Sequence, residues 1–338
     1  MWKSGFKWMF LIMGTMIGAG YASGRELWQF FGEESGLAII LFTVIFSVCC
    51  YTIMTISYKQ KTEHFLPVLH VLVGKKWSHI YDVLIILYLF TTTVVMLAGG
   101  GATLETFHVP YWVGIVLFSI FVVLVFLKGL NGMITMNAMI IPVLIIGLIG
   151  VLFIFMFDND KPWALEWTAQ ANWPAAFTFT SLNILPLVAV LSAVGNQIKD
   201  RGEIGIASIG SGLILGAISF IYNESLMQVA ESLPLYEIPL FAILKHFPYF
   251  MLVFMTGLLL IAIYTTAVSG ILGLTTRFKG CTKMPLWLLA SILLLLMLPF
   301  TTFGFSTLIS ILYPIYGLLN LYLLTAILLY PIVNRYKI

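Results

Sequence analysis

At 338 residues, 61% hydrophobic and only 9% charged, with a mean hydropathy of +1.04, the chain is far too poor in charge for a soluble domain, which carries about a quarter charged residues. That excludes a water-facing surface over most of the molecule and leaves lipid as its solvent. A net charge of +3 gives no argument for nucleic acid, and Cys49, Cys50 and Cys281 have neither disulfide nor metal-ligand spacing.

About 20 apolar residues cross a bilayer core of roughly 30 Å. By that measure apolar stretches fall at 6–31, 36–58, 79–106, 111–127, 133–157, 174–198, 203–223, 249–276, 284–301 and 305–333. Open strands are barred from lipid and no barrel-like alternation is visible, so each stretch is read as a helix. The expected architecture is an all-α polytopic membrane protein of ten spans, a single domain over 1–338.

Span 1 reads FLIMGTMIGAGYASGRELWQFF. Lys3 and Lys7 ahead of an apolar run ending near Tyr21-Ala22-Ser23 give a signal-peptide pattern, which the glycines argue against. Gly14, Gly18, Gly20 and Gly24 each cost a helix about 1 kcal/mol. Two readings stand: an unwound backbone lining a cavity, or small residues that let helices approach closely. Arg25 and Glu26 follow at once, although a charge at bilayer centre costs about 2.5–3.5 kcal/mol or more. They are expected where the span emerges into an outer vestibule, as a gate or as structural ions. Adjacent helical residues do not face each other, so each needs a partner elsewhere.

Residues 62–77, TEHFLPVLHVLVGKKW, predict a short cytoplasmic amphipathic helix ahead of span 3. Span 3 offers Tyr88 and the hydroxyls of Thr91 to Thr93, then a close-packing or hinge run, Gly99-Gly100-Gly101; Gly205 to Ala217 in span 7 is a second such stretch. Span 6 gathers Thr178, Thr180, Ser181, Asn183 and Pro186 at mid-length, and Pro186 removes a backbone donor. Spans 1 and 6 open the two halves of a 5+5 chain, approximately 5–157 and 173–334, whose five-helix halves run in opposite senses. Interrupted helices at matching positions of inverted repeats mark a transporter site. An unwound break offers amides and a helix dipole to an anion and freed carbonyls to a cation. The outer segment 227–248 is too proline-broken to span, and suits a lid or a pair of surface helices.

Orientation follows from Lys and Arg. With a cytoplasmic amino terminus, 14 of the 17 basic residues fall on the inner side, Lys161 and Lys245 lie outside, and Arg25 lies within span 1. An even number of spans puts both termini in the cytoplasm of a cell whose cytoplasmic membrane holds the chain.

The segment GTMIGAG matches the G-x-x-I-G-x-G pattern that opens helix 1 of the amino acid–polyamine–organocation transporters, and GAGYASGRELWQFFG resembles the start of the YkvI-like bacterial membrane proteins, a branch with the LeuT fold. The resemblance implies that amides around Gly18, Ala19 and Gly20 receive a substrate carboxylate and that a break in span 6, near Phe179 to Asn183, faces the same pocket. Phe179, Ser181 and Asn183 are its candidates there. The chain departs from the family at span 6, where an aromatic-glycine-acid motif is frequent.

Span 8 carries Ala262, Thr265 and Thr266 at i, i+3 and i+4, on one helical face. This A-x-x-T-T pattern is similar to the span 8 part of the second sodium site of sodium-coupled LeuT-fold transporters, whose matching helix 1 carbonyls are Gly14 and Ile17 here. The bland reading has the threonines bonding back to their own helix. Proton-coupled relatives place a lysine on helix 5, which span 5 lacks; a proton route would fall to Glu26, Glu105 or Glu224. With no acid expected near the pocket, and Tyr88, Phe177 and Phe179 lining it, the substrate is read as a small neutral amino acid rather than a polyamine. Two further classes are weighed. A germinant-receptor-like sensor subunit would share the pocket but carry no flux. An intramembrane enzyme has no support in HExxH, GxSxG or paired deep acids, and the five histidines lie near loops.

Overall fold

The computed structural model describes residues 2–128, 131–158, 170–279 and 284–333. Cys281 and the loop charges Asp160, Lys161, Glu166, Lys283, Arg335 and Lys337 lie outside them. Every apolar stretch predicted above is helical within these residues.

Span 1 is three helices, α1 (Trp2–Met16), α2 (Ala19–Ala22) and α3 (Arg25–Phe30). The backbone N–H of Ile17 closes the last turn of α1 onto the Met13 carbonyl at 2.7 Å, and Ala22 N–H reopens the pattern on the Gly18 carbonyl at 2.9 Å. Gly18 between them is extended, with φ −86° and ψ −174°. Gly24 turns the chain again at φ +79°, and a Cβ there would overlap the Tyr222 phenol. Left-handed backbone and crowding both demand glycine at that position.

Next come α4 (Gly36–Gln60) and α5 (Leu66–Glu105). Gly74 inside α5 has non-helical angles, φ 78° and ψ 166°, so Leu66–Val73 is a separate short helix with Val68, Leu69 and Val73 buried. The amphipathic helix expected over 62–77 is this shorter piece, and the long span starts immediately after Gly74. Then follow α6 (Tyr111–Lys128), α7 (Asn131–Asp158), α8 (Ala175–Ser192) and α9 (Arg201–Gln228). A short 3-10 turn, Ala230–Leu235, leads to α10 (Leu240–Leu244), and α11 (Tyr249–Lys279), α12 (Leu286–Met297), α13 (Phe305–Leu319) and α14 (Leu321–Val333) complete the chain. Among the described residues, six helices are long and apolar enough to cross a membrane, or seven when α13 and α14, bent by 41° at Asn320, count as one.

One prediction fails here. Span 6 is not broken: α8 runs unbroken through Phe179–Asn183 and past Pro186. Its polar groups are consumed within the protein rather than exposed. Thr180 donates to the Ala176 carbonyl at 2.6 Å, and Asn183 Nδ2 to the Phe179 carbonyl at 2.9 Å. Ser181 donates to the Thr178 carbonyl and to Gly317 on α13. No glycine weakens this stretch, and a single proline inside a membrane helix is tolerated where neighbours re-satisfy the freed carbonyl.

The centre of the molecule is α1 against α8 and α9, α4 against α8, α9 and α14, and α11 against α5 and α7. Helix α6 packs on α5 and turns Val116, Ile120, Phe121 and Leu127 outward, an apolar face of the kind that meets lipid. At the inner end of α4, Thr62 donates to the Ser192 carbonyl at 2.7 Å and accepts Asn196 N–H at 3.2 Å, tying α4 to the end of α8.

Candidate functional site

The break in span 1 is the focus. Helix α9 holds its outer half from the side. Tyr21 OH meets the Leu215 carbonyl at 3.1 Å and Ser219 Oγ at 2.9 Å, Tyr222 donates to the Ala22 carbonyl at 3.0 Å, and Asn223 both accepts Gly32 N–H at 3.0 Å and donates to the Gly32 carbonyl at 2.9 Å. At the end of the span remote from α1, α10 closes over the bend: all five of its residues are buried, and Leu240 N–H reaches the Ser23 carbonyl at 2.9 Å. Within the segment 227–248, residues 238–244 are buried on span 1, while Glu231, Leu235 and Lys245 on either side are exposed. Glu237, leading into it, accepts the Ser306 N–H of α13 at 2.7 Å.

At the amino-terminal end of the span, Trp8 Nε1 donates to Glu203 Oε2 across α1 and α9 at 3.1 Å. That carboxylate also accepts Lys199 N–H at 3.4 Å.

The first amides of α2, at Ala19, Gly20 and Tyr21, begin a new helix, and such amides have no partner within it. Gly18 faces α11: a Cβ on it would stand 4.0 Å from Thr266 Oγ1. The structure thus sets Thr266 against the break. Both threonine hydroxyls of the A-x-x-T-T pattern donate to the Ala262 carbonyl, Thr265 at 3.1 Å and Thr266 at 2.8 Å. In this arrangement the Ala262 oxygen is already engaged; Gly14 lies in the last turn of α1 and Ile17 just beyond its end. Among the described residues no three of His, Cys, Asp and Glu converge.

The predicted aromatic lining resolves into two groups. Phe179 is fully buried among Phe31, Phe42 and Phe30, with ring centroids 4.8, 5.0 and 5.4 Å away. That cluster joins α3, α4 and α8 as core, and it leaves Phe179 no face for a ligand. Tyr88 instead meets Tyr316 of α13 edge-on at 5.3 Å, and Tyr316 OH pairs with Thr91 Oγ1 at 2.8 Å. Beside them, Phe90, Val94, Phe300 and Leu308 line an apolar cavity of about 340 Å³.

Arg25 and Glu26 diverge. Arg25 is half-buried, its Nε has no hydrogen-bond partner, and Glu237 lies within its electrostatic reach. Glu26 does not face a vestibule. It is 6% exposed and folds back so that its carboxyl presses on Gly20, where any Cβ would collide with it. The phenols of Tyr21, Tyr88 and Tyr313 lie within its electrostatic reach. The expectation of no acid near the pocket is therefore overturned. Sequence spacing concealed this because the reversal at Gly24 brings residues six apart together, and no helical periodicity links them. Tyr313 was missed altogether, since an isolated tyrosine in an apolar span carries no signal.

No family model matches the chain. It is 55% identical over 337 residues to the uncharacterised protein YyaD of Bacillus subtilis strain 168, covering 100% of both chains. The chain belongs to the YyaD family. A more distant relative, the uncharacterised membrane protein YkvI of the same organism, is 25% identical over 336 residues and 94% of each chain. Among solved structures, the family fold is similar to a Na+-coupled sialic acid symporter in its substrate-bound outward-open state, with a TM-score of 0.63 at 14% identity over 96% of this chain and 78% of that one. It is equally similar to inward-facing Mhp1, with a TM-score of 0.63 at 12% identity over 98% and 77%. The chain is thus a multi-pass helical membrane protein whose fold is similar to those of these two transporters.

Proposed function

We propose that the chain is a secondary active transporter of a small organic solute, a neutral amino acid, moved by alternating access and coupled to sodium. The observation that carries this reading is the break at Ile17–Gly18 with Thr266 of α11 standing against it. A discontinuous helix deep in a bundle costs backbone hydrogen bonds, and membrane proteins keep such a break where it binds substrate or ions. In this reading Gly18, Ala19 and Gly20 receive the substrate carboxylate, Tyr88 lines the pocket, and Ser181 and Asn183 flank it from an unbroken α8. Sodium takes the carbonyls of Gly14, Ile17 and Ala262 with the hydroxyls of Thr265 and Thr266, which requires both threonines to turn from their present bonds. The six long helices, the bent pair α13–α14, the broken first span and the shorter α6 and α7 make ten transmembrane helices, arranged as a 5+5 inverted repeat over about 5–157 and 173–334. Both termini face the cytoplasm. Arg25 and Glu237 act at the outer gate. Because Glu26 lies at the break, dibasic solutes and polyamines return to the substrate panel.

Thermal stability of the detergent-purified chain against amino acids, each in sodium or potassium, tests this, because a ligand of the folded state raises its apparent stability. Stabilisation by a neutral amino acid in sodium alone, lost in Thr265→Val plus Thr266→Val, is the expected result. Equal stabilisation in potassium sinks the sodium site.

A further inference from the structure

Three acids of the bundle are nearly inaccessible: Glu26, Glu203 and Glu224. Glu203 is held by Trp8 and the Lys199 amide, and Glu224 too has interactions of its own. Glu105, at the outer end of α5, is exposed. Glu26 is different. Its Oε2 is buried with no hydrogen-bond partner, and among the described residues no basic nitrogen lies within ion-pair distance of it.

The surroundings leave no cation to neutralise it. Its own helix supplies Arg25, which has Glu237 within electrostatic reach, makes no ion pair with Glu26 and, as a sequence neighbour, cannot share a helical face with it. Tyr21 comes from α2, Tyr222 and Glu224 from α9, Tyr313 and Tyr316 from α13, and Tyr88 from α5, while α8 has no titratable residue. Tyr21, Tyr222 and Tyr316 have hydroxyls already paired with other groups. A carboxylate placed this way has a buried oxygen with neither counter-charge nor hydrogen-bond donor, and burying an unpaired ion is among the most costly things a fold can do.

We infer that Glu26 is a proton-binding site: its carboxyl holds a proton while α3 is folded back on Gly20, and releases it to water when α3 lifts from α2. On release the O–H bond breaks and the proton leaves for the opened aqueous side, so one proton is exchanged per opening. The seat at Gly20 makes the device mechanical, because carboxyl and backbone separate only if α3 moves. The place of this proton in a transport cycle rests on the carrier reading above. The protonation itself does not.

The first test is infrared spectroscopy of the full chain reconstituted in lipid at neutral pH. A protonated-carboxyl C=O band is expected in the native chain, lost in Glu26→Gln, which is isosteric with the neutral acid, and kept in Glu203→Gln and Glu224→Gln. No such band, or one indifferent to Glu26→Gln, overturns the inference. Should Glu26→Gln fail to fold, Gly20→Ala serves: its methyl displaces the carboxyl, so the band must shift or vanish, and an unmoved band is equally fatal.

The second test reads movement without any substrate. Ala22, 1% exposed, becomes a cysteine in a background with the native cysteines replaced. Its labelling should rise several-fold more steeply with pH when Glu26 is present than in Glu26→Gln, which cancels the thiol's own ionisation. Equal pH dependence overturns release on opening. Sodium-independent amino acid binding in the stability assay would remove the sodium reading while leaving both results standing.

Discussion

Tyr222 and Gly24 show how one residue fixes the shape of the break. The phenol of Tyr222 donates to the Ala22 carbonyl at 3.0 Å, one of the groups that the broken helix cannot satisfy itself. Its ring fills the space that any side chain at position 24 would need. Gly24→Ala therefore combines a left-handed backbone with a steric overlap, and each costs of order 1–3 kcal/mol. Tyr222→Phe removes only the hydrogen bond, worth about 0.6–1.7 kcal/mol in a membrane protein. Thermal melting in detergent should rank Gly24→Ala well below Tyr222→Phe. The double variant should recover little, because Phe retains the ring that causes the clash. A melting point for Gly24→Ala equal to the native chain's would mean that the turn is not held by Tyr222.

Among the elements, α1 and α8 show what was legible in the sequence. The positions of all the apolar stretches could be read, because hydropathy over a bilayer thickness is a long, redundant signal. Glycine density marked the break of span 1, which falls at Ile17–Gly18 after α1. The same reasoning failed for α8, where Thr180, Ser181 and Asn183 resemble freed polar groups in sequence but bond to carbonyls in space. Composition does not say whether a hydroxyl faces a cavity or its own helix. Pro186→Ala tests the difference. In an unbroken helix it restores one backbone donor, so the melting point should be unchanged or higher. A substantial loss would mean that α8 depends on a proline-made irregularity. At the amino-terminal end of α1, Trp8→Phe removes the indole N–H together with part of the buried ring and leaves Glu203 Oε2 with only the Lys199 amide. Amide hydrogen exchange in α1 should then rise relative to α9, since an element released from a buried partner opens locally at lower free energy. Exchange unchanged in α1 would show that packing against α8 and α9 holds it without this bond.

At the scale of the whole molecule, outer and inner closures coexist. Leu240 seals the bend from one end through Ser23, and Trp8 with Glu203 clasps the other. In the carrier reading, alternating access requires that the two not open together, and the shared partner is α9, which touches both halves of span 1. Its Tyr222 and Asn223 hold the outer half while its Glu203 holds the inner. Which closure faces the cytoplasm is set by charge rather than by packing. The side of Trp8 and Glu203 is also the side of Lys59, Lys61, Lys199 and Arg201, and basic residues in short loops stay on the cytoplasmic face. Single cysteines at Lys61 and at Leu235, the latter 82% exposed, decide the matter in intact cells with an impermeant thiol reagent. Leu235→Cys should label and Lys61→Cys should label only after the cells are opened. The reverse pattern would put the Trp8–Glu203 clasp on the outer face and invert the direction in which Glu26 gives up its proton.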